Sequence, residues 1–101
     1  NSIYKGETME QQILEEAIAH YGARSQVIVA IEELSELQKE LCKFLRDNKT
    51  DNIAEEIADV EIMLEQMVMI FSSRETVDCW KSKKIARLDV RIKSEMCESC
   101  N

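Results

Sequence analysis

Apolar residues recur along this chain at helical spacing in four stretches, separated by short polar breaks. Thr8 and Gln11 have the spacing of a capping box, and Ile13, Leu14, Ala17, Ile18 and Tyr21 follow until Gly22, which predicts a first helix over 8–21. Val27, Ala30, Ile31, Leu34, Leu37, Leu41 and Leu45 keep an i, i+3, i+4 rhythm up to the polar run 47–52, which predicts a second over 25–46. Asn52 and Glu55 offer another cap, and Ile53, Ile57, Val60, Leu64, Val68 and Phe71 predict a third over 51–71. Ser72 with Glu75 starts the fourth, which Val77, Trp80, Ile85, Leu88 and Ile92 carry over 73–96, leaving a tail of 97–101.

The third helix changes character half-way. From Ile62 to Phe71 only Glu65 and Gln66 interrupt the apolar side chains, so this segment should be buried on more than one side, the second side being another subunit. Met63, Met67 and Met69 read as adaptable packing at that contact. The fourth helix carries cations instead: Lys81, Lys83, Lys84, Arg87, Arg91 and Lys93. Four helices on short polar links predict an all-α fold, a four-helix antiparallel bundle in a single domain over 1–101.

Composition supports the helical reading and narrows the partners. The chain has 101 residues, no proline and two glycines, and it is near the size below which one core is marginal, so homo-oligomers are expected. Thirteen Lys and Arg against 20 Asp and Glu leave a net charge of −7, which argues against non-specific nucleic-acid binding. An anionic partner would need a local device such as a metal ion. No apolar run reaches membrane-spanning length and no signal-peptide pattern is present, so a soluble, cytoplasmic protein without membrane contact is expected. The four cysteines read as reduced thiols, Cys97 and Cys100 included, because a lone C-x-x-C has no second pair. A single histidine, His20, excludes a histidine-rich zinc centre and the Glu-x-x-His ligands of di-iron bundles.

The informative chemistry is a near-repeat of acids. Residues 32–37 and 55–60 both run acid, acid, apolar, small, acid, apolar. At about 100° of rotation per residue, Glu33 and Glu36 take one flank of their stripe, and Glu56 and Asp59 the matching flank of theirs. Antiparallel packing would bring the two pairs together, whereas Glu32 and Glu55 point to solvent. Four converging carboxylates repel unless a cation sits among them, and an all-oxygen ligand set suits Mg²⁺, with Mn²⁺ as the alternative.

These residues resemble the MazG-like nucleotide pyrophosphohydrolases, an all-α NTP pyrophosphatase group related to the dimeric dUTPases. The likeness rests on Glu33-Leu-Ser-Glu36 and Glu56-Ile-Ala-Asp59, on Tyr21-Gly22 with Gln26 before them, and on Lys84-Ile-Ala-Arg87-Leu88 after them, so it spans about 12–92. The resemblance implies that the four acids hold Mg²⁺ and that water attacks the α-phosphorus of a (d)NTP, releasing (d)NMP and pyrophosphate. Glu33 or Glu36 would accept the proton. Lys84, Arg87 and Arg91 share a helical face and, with Lys81, could hold the outer phosphates, while Gln26 lies on the Glu33 side and could touch the nucleotide. The family is found as dimers and tetramers. Unlike its tandem-domain members, this chain is compact and lacks a loop of base-reading aromatics; its one tryptophan, Trp80, reads as core. The competing expectation is a non-catalytic helical interaction module, or a member that binds nucleotide without hydrolysing it, with the methionine-rich helix as the docking surface.

Overall fold

The computed structural model describes residues 7–100, and side chains through 97. Four helices are described: α1 (Met9–Tyr21), α2 (Ala23–Asp47), α3 (Ile53–Phe71) and α4 (Arg74–Cys100). No strand occurs among the described residues, so the all-α class holds. The Cys100 side chain, half of the expected tail pair, lies outside the described side chains, whereas Cys42, Cys79 and Cys97 are free and exposed.

Local chemistry sets each helix end. Thr8 Oγ1 accepts from the Gln11 N–H at 3.0 Å, and Gln11 Oε1 accepts from the Thr8 N–H at 2.7 Å, the reciprocal box that opens α1. Gly22 alone connects α1 to α2. Its N–H donates to the Ile18 carbonyl at 2.9 Å and its carbonyl accepts from the Gln26 N–H at 3.1 Å, so one residue closes one helix and opens the next. It does so at φ 92° and ψ 145°, a conformation in which an L side chain is strained. Asn48, left-handed at φ 58°, closes α2 by donating to the Phe44 carbonyl at 2.8 Å. The Asn52 carbonyl accepts from the Glu56 N–H at 3.1 Å as α3 begins. The cap of α4 is Ser73, one residue beyond the expected Ser72: Ser73 Oγ accepts from the Thr76 N–H at 3.1 Å.

The described residues fall into two compact units, 7–71 and 72–100. In the first, α2 and α3 make the most extensive helix pair, and α1 packs against both. The second is α4, braced along its own length by Arg74–Asp78 at 3.1 Å and Lys93–Asp89 at 3.0 Å.

What is buried differs from the leucine-rich stripe the periodicity singles out. Among the described residues the buried apolar side chains are Ala30, Val60 and Met63, and they share the interior with Gln26, Glu40 and Gln66. Ile31, Leu34, Leu41 and Leu45 are exposed, Leu45 at 81 %. The inward line of α2 is Gln26, Ala30, Glu33, Leu37 and Glu40, a seven-residue rhythm rotated away from the leucines, and α3 answers with Glu56, Asp59, Met63 and Gln66. The helix pair thus turns a largely polar seam inward. The second half of α3, expected to be covered on two sides, has Met63 and Gln66 buried, Met67 to Ile70 half-buried, and Ile62, Leu64 and Phe71 exposed.

Candidate metal centre

Glu33 on α2 and Glu56 and Asp59 on α3 each offer one carboxylate oxygen, and the three oxygens lie within 4.8 Å of one another. The arrangement follows from helix geometry. Glu56 and Asp59 are three residues apart and so share a face, and the α2–α3 packing sets Glu33 opposite, within hydrogen-bonding reach of Asp59. All three side chains are half-buried.

The electrostatics of the cluster are unfavourable without a counter-charge. The Glu33 carboxyl is held above its ordinary value first by desolvation, then by the Asp59 charge and the hydrogen bond with Asp59, and further by Glu56 and Glu36. The Glu56 carboxyl is raised first by desolvation and then by Asp59, Glu36, Glu55 and Glu40. Glu56 Oε2 is buried and has no hydrogen-bond partner in the protein. A buried carboxylate oxygen without a donor, facing two other carboxylates, fits a hard divalent cation of the Mg²⁺ type, which takes oxygen ligands and tolerates several anionic ones.

Three of the four expected acids therefore converge. Glu36 is exposed; its charge acts on both Glu33 and Glu56, but its oxygens lie outside the converging group, which places it at the rim. Glu32 and Glu55 are exposed. Gln26 is buried, at 7 % exposure. Lys81, Lys84, Arg87 and Arg91 are exposed on α4, in the second unit, and no part of the carboxylate geometry rests on them. Trp80, expected in the core, is 52 % exposed, with the ammonium groups of Lys83 and Lys84 at 5.2 and 6.0 Å from its ring centroid.

Two residues on the same seam escaped the sequence pattern. Glu40 is 8 % exposed, neutralised by Lys43 Nζ at 3.0 Å, and its charge reaches Glu56. It stands seven residues after Glu33, a repeat that would have placed it on the same face had the leucines not drawn the stripe elsewhere. Gln66, seven residues after Asp59, is the other, at 3 % exposure. The chain matches no protein-family model, no curated protein and no solved structure.

Proposed function

We propose that this chain is a divalent-metal-dependent nucleotide pyrophosphohydrolase of the MazG-like kind, cleaving a (d)NTP to the monophosphate and pyrophosphate. The observation that carries the reading is the convergence of Glu33, Glu56 and Asp59 about a buried, donorless Glu56 oxygen. Glu33, Glu56 and Asp59 would hold Mg²⁺, or Mn²⁺ in its place. When bound, such an ion supplies charge neutralisation for phosphoryl oxygens and acidifies a ligated water. Glu36, exposed beside the cluster, is free to accept the proton of the attacking water. The other three are half-buried, which reduces solvent screening of charge interactions on that side.

Incubation with a panel of NTPs and dNTPs plus Mg²⁺ should release pyrophosphate, and Glu33→Gln or Asp59→Asn should abolish release while circular dichroism stays helical. No turnover of any nucleotide, together with no Mg²⁺-dependent stabilisation, would sink the reading.

The working form is a homo-oligomer in this proposal. Val27, Ile31, Leu34, Leu41 and Leu45 make a second apolar stripe on α2, and Ile57, Leu64 and Phe71 recur every seven residues on α3. The two stripes meet at a groove of about 480 Å³ lined by Val27, Ile31, Ile70 and Phe71. A second copy, offering the same apolar spacing, is the occupant these stripes suit. The same exposed side chains are what a non-catalytic interaction module would present, and the pyrophosphate assay separates that reading from this one.

A further inference from the structure

Helix α4 is a compact unit by itself, yet it carries an apolar stripe that a lone helix cannot bury. Ile85, Leu88 and Ile92 stand at i, i+3 and i+7, and Met96 continues them one turn on, at 61, 47, 45 and 62 % exposure. These are the anchor positions of a helix that lies in an apolar groove. Lys84 and Arg91, seven residues apart, border the stripe on one flank, and Lys81, four residues before Ile85, stands in line with it. Over 81–93 there are six Lys and Arg against one Asp. Two α4 helices laid side by side would set these cations against each other, so the stripe calls for an acidic partner.

The first three helices offer such a surface. A groove of about 600 Å³ lies between α1 and α3, with Ile13, Leu14 and Ile62 among its apolar lining and Glu10, Glu61 and Glu65 among its acidic lining. Neither α1 nor α3 contains a lysine or an arginine, and among the described residues Glu10 and Glu61 have no ion pair. The apolar groove beside Phe71 is lined by Arg24 and no acid, so charge directs α4 to the first groove. Length bears on which copy supplies the helix. With 27 residues against 13, α4 extends about 40 Å and α1 about 20 Å, so the groove wall takes up about half of α4 and leaves the rest to bridge between molecules. Each copy offers both the helix and the groove, and reciprocal seating closes at two copies.

We propose that α4 of one copy seats in the α1–α3 groove of a second copy, its apolar stripe against Ile13, Leu14 and Ile62, and Lys84 and Arg91 beside Glu10 and Glu61. The inference is independent of the nucleotide reading and concerns a different face from the α2 and α3 stripes. The test is a charge swap in the full chain. One variant carries Lys84→Glu with Arg91→Glu, the other Glu10→Lys with Glu61→Lys. Each alone opposes like charges across the contact and should melt about 5 °C or more below wild type while staying helical by circular dichroism. Co-expressed, with a tag on one chain for isolation, the two match acid to base at both contacts. The mixed complex should sediment as at least a dimer and recover the wild-type Tm to within about 2 °C. Recovery in a chain carrying all four substitutions, but not in the mixture, means that α4 docks on its own chain and overturns the inference. Variants that melt like wild type, failure of both the mixture and the four-fold chain to recover, or wild-type protein that is monomeric at every concentration overturn it as well. If the reversals prevent folding, Lys84→Gln with Arg91→Gln and Glu10→Gln with Glu61→Gln serve instead: a chain carrying all four should melt no lower than either pair alone, and additive losses overturn the contact.

Discussion

Glu56 is the residue on which the carboxylate site turns, because it combines a buried, donorless oxygen with two acidic neighbours whose oxygens lie within 4.8 Å. Glu56→Gln removes repulsion as well as a ligand, so the metal-free protein should melt at the same temperature or higher while Mg²⁺ affinity falls by about 100-fold or more, beyond what losing a supporting group costs. Thermal melts across a Mg²⁺ titration would read both effects, and a retained Mg²⁺ response would place the ion elsewhere. Glu55→Gln, one residue away but exposed, should change stability by no more than about 0.5 kcal/mol. The raised Glu33 and Glu56 carboxyls add a pH signature. An acid whose folded-state pKa exceeds its unfolded one stabilises the fold while protonated, below the ordinary value of 4.5, and that contribution is lost as pH rises through the raised value. A bound cation demands the ionised forms and so competes with protons. The Tm gain from saturating Mg²⁺ should therefore be largest near neutral pH and shrink as pH falls towards about 5. A gain independent of pH would dissociate the ion from these carboxylates.

At the scale of the helices, Gly22 has the sharpest sequence-to-structure logic. Nothing lies within 4 Å of where a Cβ would stand, so Gly22→Ala meets no clash and its cost is conformational alone, from holding φ 92°. A loss of about 1–3 kcal/mol in urea unfolding is expected, and a neutral result would mean that the α1–α2 connection relaxes to another conformation. Such punctuation was legible from the chain: Thr8 with Gln11, Gly22 and the polar run after Asp47 all mark real helix ends. The convergence of Glu33, Glu56 and Asp59 was legible too, because i, i+3 spacing within a helix leaves the phase little freedom, whereas Glu36, expected with them, stands exposed outside the group. The identity of the inward face was not. Helix α2 carries two seven-residue rhythms at once, Gln26-Glu33-Glu40 and Val27-Leu34-Leu41, offset by a single residue. Hydrophobicity favours the second as core, and the structure buries the first. Periodicity reports that a face is apolar but not what covers it, so Glu40 and Gln66, both buried polar residues, could not be told from solvated ones.

For the whole molecule, the balance of buried and exposed side chains bears on whether the chain acts alone. With only Ala30, Val60 and Met63 buried among the described apolar residues, and three polar side chains inside with them, the interior contributes little hydrophobic stabilisation against the entropy of ordering the chain. The missing burial is available on the exposed stripes, where Ile31 is 59 % and Leu64 48 % exposed, so that covering each would contribute about half of the roughly 1.5–3 kcal/mol that full burial of such a side chain supplies. Two experiments distinguish a self-covered pair from a lone chain. In the first, Tm should rise with protein concentration, as mass action requires when folding and association are linked. In the second, Ile31→Glu and Leu64→Glu are compared with the exposed-site control Glu55→Gln. If the stripes face water, each substitution should stay within about 0.5 kcal/mol of wild type, as surface changes do. If a second copy covers them, a buried, unpaired carboxylate replaces an apolar contact, and sedimentation should show loss of the oligomer together with a lower, concentration-independent Tm. Wild-type protein that sediments as a monomer at every concentration, with both variants melting as it does, would overturn the homo-oligomer and leave the apolar stripes to a different partner.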